Sequence, residues 1–174
     1  LIISKLADVC TIDVIDKYGE VQRLAISSCE TMSLFLEYNA EKLDLIYHQF
    51  MARTLEKGEP VLVSHIRTED LRRLAIDEEY YQLLLASNLL STIAIPLYAR
   101  DHVFGLLLCV TTDASPPFSH HGLHLFEEIG RRISLFIDNE RLYQEAQSQF
   151  KWLQGVVESI GDAVIITDSH GTIT

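Results

Sequence analysis

Residues 91 to 112, STIAIPLYARDHVFGLLLCVTT, constrain the fold more than any other stretch of this chain, because they read as a buried hairpin feeding a long helix. In the first half Ile93, Ile95 and Leu97 point one way and Ala94, Pro96 and Tyr98 the other. Both faces are thus largely apolar, which predicts a strand covered on both sides. Val103 to Val110 is an uninterrupted apolar run, and Ala99, Arg100, Asp101 and His102 suit a short loop, so the two strands are predicted to be adjacent and antiparallel. Pro96 has no N–H for a ladder, so its nitrogen is expected at a bulge or facing off the sheet. Pro116 and Pro117 end the sheet, and Ser119 is placed to cap the next helix.

Upstream, residues 6–16 (LADVCTIDVID) and 21–29 (VQRLAISSC) are β-rich runs parted by Lys17, Tyr18, Gly19 and Glu20, a hairpin signal. From Thr31 to Lys57 the apolar spacing is helical, stopped by Gly58 and Pro60. A short strand, VLVSHI, follows. Thr68 can cap a helix whose first turn carries Glu69 and Asp70, where the helix dipole favours acids. That helix is expected to break near Ile76 and Asp77 and to end around Asn88. The order β-β-α-β-α-β-β-α predicts an α+β fold, a central antiparallel sheet with helices on both faces and a long C-terminal helix.

The last helix carries a second pattern. Phe126, Ile129, Ile133, Phe136, Tyr143, Ala146, Phe150, Leu153, Val157 and Ile160 follow steps of three and four, as in a coiled coil, with one slip near Asn139 and Glu140. The upper part is expected to cover the domain's own sheet, and the part beyond about Tyr143 to pair with a second copy. Phe126, Ile133, Phe136, Tyr143, Phe150, Leu153, Val157 and Ile160 are the expected dimer seam. A plain linker is the competing reading of residues 148–160, since Gly155 costs a helix about 1 kcal/mol. After Gly161, DAVIIT, a turn DSHG and TIT form one hairpin of a further domain.

Charge and cysteine usage exclude several functions. With 14 basic and 25 acidic residues the net charge is −11, which repels nucleic-acid backbones and anionic membranes, and no basic stripe reverses it. Cys10, Cys29 and Cys109 lie far apart without metal spacing, and read as small buried hydrophobes in a reducing compartment. No apolar run reaches the about 18–20 residues that span a bilayer, and nothing at the start of the sequence resembles a signal peptide. Starting at Leu1, the chain reads as a piece of a longer protein.

Residues 1–147 resemble a GAF domain whose first helix is cut short. The resemblance rests on Gly58-Glu59-Pro60-Val61, on Ser91 and Thr92 entering the strand that ends Ile95-Pro96-Leu97, on Gly105, and on Ile137-Asp138-Asn139-Glu140-Arg141-Leu142-Tyr143 closing the helix. ESIGDAVIITDSHGTIT resembles the opening of a PAS domain, so the expected organisation is GAF 1–147, helical linker 148–160 and PAS hairpin 161–174. The resemblance implies a cytoplasmic sensory module of a bacterial two-component-type signalling protein with an output domain such as a histidine kinase. It also implies a small ligand held between sheet and helices, and a signal passed through the exit helix of a homodimer. No cysteine here has the context used to attach a bilin, which argues against that cofactor and leaves the ligand unknown. Phe118 is followed by Ser119, His120, His121 and Gly122, without the acidic pair of cyclic-nucleotide binders.

A pocket that fixes a ligand needs a few convergent polar groups in an apolar wall. The candidates are Ser27, Cys29, His65, Tyr80, Tyr81, Asn88, Ser91 and Thr92, each of which serves equally to cap strands and satisfy buried backbone. His120 and His124 share a helix face and are the candidates for a metal, although a solvated first turn is the plainer reading. No catalytic residues are expected. The rival classes are a ligand-free dimerising spacer whose pocket is filled by Leu83, Leu84, Leu85, Leu89 and Leu90, and a free methionine sulfoxide reductase, which needs an accessible thiolate of low pKa.

Overall fold

The computed structural model describes residues 6–16, 18–28, 54, 57–75, 77–100 and 102–160. Cys29, most of the helix expected over 31–57 and the hairpin expected over 161–174 lie outside the described residues.

The hairpin read at 91–112 is present and longer than expected. Strands β4 (Leu89–Ala99) and β5 (His102–Thr112) pair from Leu89↔Thr112 to Ala99↔His102. A two-residue loop between right-twisted strands needs positive φ, and Arg100 supplies it at +56°. The upstream hairpin joins β1 (Val9–Ile15) to β2 (Val21–Ser28). Its turn closes on the Asp16 carboxylate, which accepts from the Tyr18 and Glu20 amides at 2.8 and 2.9 Å, with Gly19 at φ +85°. Strand β3 (Val61–Val63) is shorter than the expected VLVSHI and pairs with residues 92–94 of β4. It follows Gly58, whose φ of +63° and amide bond to the Thr54 carbonyl at 2.8 Å make it the expected helix stop.

These strands form one five-stranded antiparallel sheet in the order β2-β1-β5-β4-β3. Pro96 sits where it does least harm. It lies beyond the last β3 pairing, Val61↔Ala94, and next to the register shift between Leu97 and Tyr98. Gly105 permits β5 to approach β1, since a Cβ there would collide with the Asp13 carbonyl. Asp8 clamps the same two strands at the other end. Its carboxylate accepts from the Thr112 amide (2.7 Å), the Thr112 hydroxyl (3.0 Å) and the Ser115 hydroxyl (2.6 Å).

Helices cover both faces. Helices α1 (Thr68–Leu74) and α2 (Glu78–Ala86) lie over the row that contains Thr92, Leu108 and Val110. Helix α3 (His120–Ile160) begins over the opposite row, Ile93, Ile95 and Leu97. Contact there is close: a Cβ on Gly130 would stand 2.6 Å from Ile95 Cγ2 and 3.8 Å from Leu97 Cδ2. At the shift after Leu97 the Tyr98 amide leaves the ladder and donates to Ser134 Oγ at 3.0 Å. Ser134 in turn donates to the Gly130 carbonyl at 2.8 Å, and the Tyr98 hydroxyl donates to the Gly58 carbonyl.

Two compact units divide the chain at Leu135/Phe136. One expected seam residue is corrected by the first unit: Phe126 is buried, edge-on to Phe118 with centroids 5.0 Å apart. It belongs to the domain's own core, because the first turns of α3 lie on the sheet and spend their apolar stripe there. Ile133 is half-buried. In the second unit Phe136, Tyr143, Phe150, Leu153 and Val157 are exposed, by between 52% and 67%. Helix α3 runs through Ile160, where the described residues end, and the Ile160 side chain lies outside them.

Candidate functional site

The cavity face of the sheet is built by strand alternation. Thr92 and Ala94 of β4 pair with Val110 and Leu108 of β5, and these with Val9 and Thr11 of β1, so all share one side. Most of that row is apolar. Asp13 is the charged exception: fully buried, it accepts from Arg23 Nε at 2.6 Å and from a second guanidinium nitrogen at 3.3 Å. A buried carboxylate is tolerated only with such a partner.

Helices α1 and α2 roof this face as a locked pair. At the start of α1 the Asp70 carboxylate reaches back to accept from the Arg67 amide at 3.1 Å and from Arg67 Nε at 3.2 Å. Arg67, not the expected Thr68, is therefore the N-cap, because the side chain that satisfies the free amide comes from the third helical position. The break expected near Asp77 is a second N-cap: Asp77 Oδ1 accepts from the Tyr80 amide at 2.7 Å and opens α2. Arg72 then ties the two helices, pairing with Glu78 at 2.6 Å and lying 4.5 Å over the Tyr81 ring. Between them Leu71, Tyr80 and Leu84 form a buried cluster. The loop before α1 is pinned to β4 by the Ile66 amide on the Leu90 carbonyl at 2.8 Å.

Between roof and sheet lies a cavity of about 580 Å³, inside the about 300–1,000 Å³ range of small-molecule sites. Its wall is mostly aliphatic, with Val63, Leu74, Leu84, Leu89, Leu108 and Val110 among the lining residues. The polar lining consists of Ser64, His65, Arg67, Asp70, Arg73 and Thr92. Thr92 is occupied, its hydroxyl donating to the Cys109 carbonyl at 3.0 Å.

Of the candidate ligand residues, the structure brings His65 and Thr92 to this cavity. Ser91 goes to the other side, since neighbours in a strand face opposite ways. Its hydroxyl shares a 2.6 Å hydrogen bond with Thr111 and accepts from the Phe118 amide at 2.8 Å. Tyr80 is wholly buried in the roof, its hydroxyl without a partner among the described residues, and burial pushes it up to about 12. Tyr81 is half-buried beneath Arg72. Asn88 is exposed in the turn after α2, at φ +48°, with its carbonyl accepting from the Asp113 amide. Ser27 stands opposite Cys10 in the β1–β2 register. Sequence reasoning missed Arg67, Asp70 and Arg73. Their signal was the three-residue spacing that flanks Leu71 and Leu74 on one side of α1.

Two of the cysteines, 99 residues apart in the sequence, meet in the fold, and Cys29 lies outside the described residues. Cys10 and Cys109 are register partners, Sγ to Sγ at 2.9 Å, both buried and both free. The Cys10 thiol alongside and burial push Cys109 far above the ordinary thiol range, the reverse of what a nucleophilic thiolate needs. Among the described residues no group of three His, Cys, Asp or Glu side chains is placed to hold a metal. His124 Nδ1 instead lies 2.9 Å from Glu127 Oε2. Among the described residues, too, no helix is long and apolar enough to cross a membrane.

The GAF domain model matches residues 6–137. Among solved structures, the chain is similar to a GAF domain/HD domain protein from Geobacter sulfurreducens, with 18% identity over 81% of this chain and 88% of that one and a TM-score of 0.59. The GAF domain of a phosphoenolpyruvate-protein phosphotransferase from Coxiella burnetii is similar at 13% identity, covering 83% and 82%, with a TM-score of 0.56. A GAF domain from Synechocystis solved in its photoproduct state is similar at 12% identity, covering 83% and 90%, with a TM-score of 0.52. At these identities the likeness is one of fold. No curated protein matches the chain.

Proposed function

The chain belongs to the GAF domain family, and from that premise we propose that it is a non-catalytic, ligand-sensing regulatory domain of a two-component-type signalling protein. The observation that carries this reading is the roofed cavity of about 580 Å³, which Leu84 and Leu89 line without filling. A spacer domain has no use for that volume, since packed interiors leave few voids larger than a water molecule. The buried, protonated Cys109 thiol weighs against a reductase.

In this reading occupancy changes which packing of α3 on the sheet is preferred, and the ligand must bind the two packings unequally for a signal to pass. Phe136, Tyr143, Phe150 and Val157 recur every seven residues on α3 and are exposed, which suits a seam with a second copy of the chain. Residues 161–174 would then open a PAS domain, and the whole would work in the cytoplasm as a homodimer. Mass spectrometry of the natively purified chain tests the core of the proposal. Under non-denaturing conditions a dimer should carry extra mass that is lost on unfolding. A ligand-free species that also takes up no apolar probe would refute sensing, and a strict monomer would refute the seam.

A further inference from the structure

Resting on the reading that the cavity is a ligand site, we infer that its ligand is a small molecule with an apolar body and one carboxylate, and that Arg73 is the residue that takes the charge. The aliphatic wall sets the body. Polyhydroxylated or multiply charged ligands need polar partners on every side, whereas most of this lining is leucine, isoleucine and valine, with polar groups at Ser64, His65, Arg67, Asp70, Arg73 and Thr92 alone.

The rim sets the charge. Thr92 already donates to the Cys109 carbonyl, and Asp70 is held by Arg67 through two hydrogen bonds. Arg73 is exposed, lines the cavity, and has no hydrogen bond or ion pair among the described residues. One carboxylate, Asp70, thus faces two guanidinium groups, Arg67 and Arg73, and its own titration is lowered by both. Arg67 and Arg73 set against Asp70 leave one surplus positive charge on the rim, in a chain whose net charge is −11. One such charge matches a monoanion. A polyanion would meet Asp70 and the acidic field of the rest of the chain. The planar fork of arginine fits the two oxygens of a carboxylate, and the apolar wall beside it lowers the local dielectric and strengthens the pair.

Two fluorescent probes that share an N-phenylnaphthylamine skeleton test this with the whole chain: 1-anilinonaphthalene-8-sulfonate, a monoanion, and N-phenyl-1-naphthylamine, which is neutral. Arg73→Gln, at an exposed position, and Val63→Trp, which narrows the cavity from the edge strand, are compared after circular dichroism confirms their fold. The expected result is that Arg73→Gln weakens the anionic probe about tenfold and leaves the neutral one unchanged, while Val63→Trp weakens both. Equal loss of both probes in Arg73→Gln, or no loss of either, would overturn the charge assignment and leave the cavity standing. Binding of both probes that is indifferent to Val63→Trp would place them elsewhere on the chain, and the cavity reading would fall together with the inference built on it.

Discussion

Replacing Ser134 with alanine isolates the hydrogen-bonded joint between the sheet and α3. Ser134 is buried, accepts from the Tyr98 amide at 3.0 Å and donates to the Gly130 carbonyl at 2.8 Å. The Gly130 carbonyl lies within the helix, so loss of the serine's extra bond there costs little. The Tyr98 amide is different: the register shift after Leu97 takes it out of the β4–β5 ladder, and Ser134 is its partner. An amide stranded in a buried place costs about 1–3 kcal/mol. Because Tyr98 is itself 43% exposed, water can recover part of this, which favours the lower end. Alanine returns up to about 0.5 kcal/mol of helix propensity. Ser134→Ala is therefore expected to lose about 1 kcal/mol in urea unfolding followed at 222 nm. Hydrogen exchange supplies the sharper readout, since the peptide containing the Tyr98 amide should lose protection well beyond the global change. Unaltered stability together with unaltered exchange at Tyr98 would refute the claim that this bond holds the joint.

Other substitutions probe the sheet and the roof. Gly105→Ala drives a Cβ into the Asp13 carbonyl and to 3.2 Å from Val14 Cα, backbone that has no room to yield, so a loss of about 2–4 kcal/mol is expected from thermal or urea unfolding. Tyr80→Phe removes a buried hydroxyl without a partner among the described residues and should stabilise the domain by up to about 1 kcal/mol. With the folded pKa raised to about 12, Tyr80 contributes stability that is complete below the unfolded value near 10 and lost as pH rises through 12, so the phenylalanine variant should show a shallower alkaline decline in that window. Burial raises the Asp8 carboxyl, but the Ser115 hydroxyl and the Thr112 amide and hydroxyl outweigh it and leave it below its ordinary value. Its contribution is present above about pH 4 and lost as pH falls through the folded value, so Asp8→Asn should cost about 1–2 kcal/mol at pH 7 and approach zero difference from wild type in strong acid.

The hairpin, the α1/α2 break and the helix from Ser119 onward were legible because each is written in local periodicity or in a nearby cap. Strand order was not. Cys10 and Cys109 are 99 residues apart and touch, because β1 and β5 are neighbours in the sheet. The alternation that splits β4 was visible, however. Ser91 and Thr92 are both pocket candidates by residue type, yet consecutive strand residues face opposite ways, and of the two Thr92 lines it. Arg73 was invisible for another reason. A charged residue on a short helix looks solvated until the roof it sits on is placed over a cavity. Phe126 shows the reverse error, where one continuous seam serves the domain's own core at its start and is exposed further on.

Sensing through α3 requires a physical route from one face of the sheet to the other, and β4 touches both the cavity and α3. Its even row, at Thr92, lines the cavity, while its odd row, at Ile95 and Leu97, carries α3. A packed strand does not deform continuously, so a shift of its odd row moves the even row with it. Gly130→Ala exploits this from the far side. The new methyl would stand 2.6 Å from Ile95 Cγ2, a branch next to the backbone that cannot swing away as a long side chain would. Relief of the glycine helix penalty returns about 1 kcal/mol and overpacking costs about 1–3 kcal/mol, so the domain stays folded with a small net loss. Most of the strain must then be taken up by β4. The affinity of the cavity for N-phenyl-1-naphthylamine, on the opposite face from the substitution, is expected to change several-fold. The double variant with Ile95→Ala, which removes the opposing methyl, should restore it. If Gly130→Ala leaves probe affinity where it was while lowering stability, the strain is absorbed within α3, and β4 is not the route.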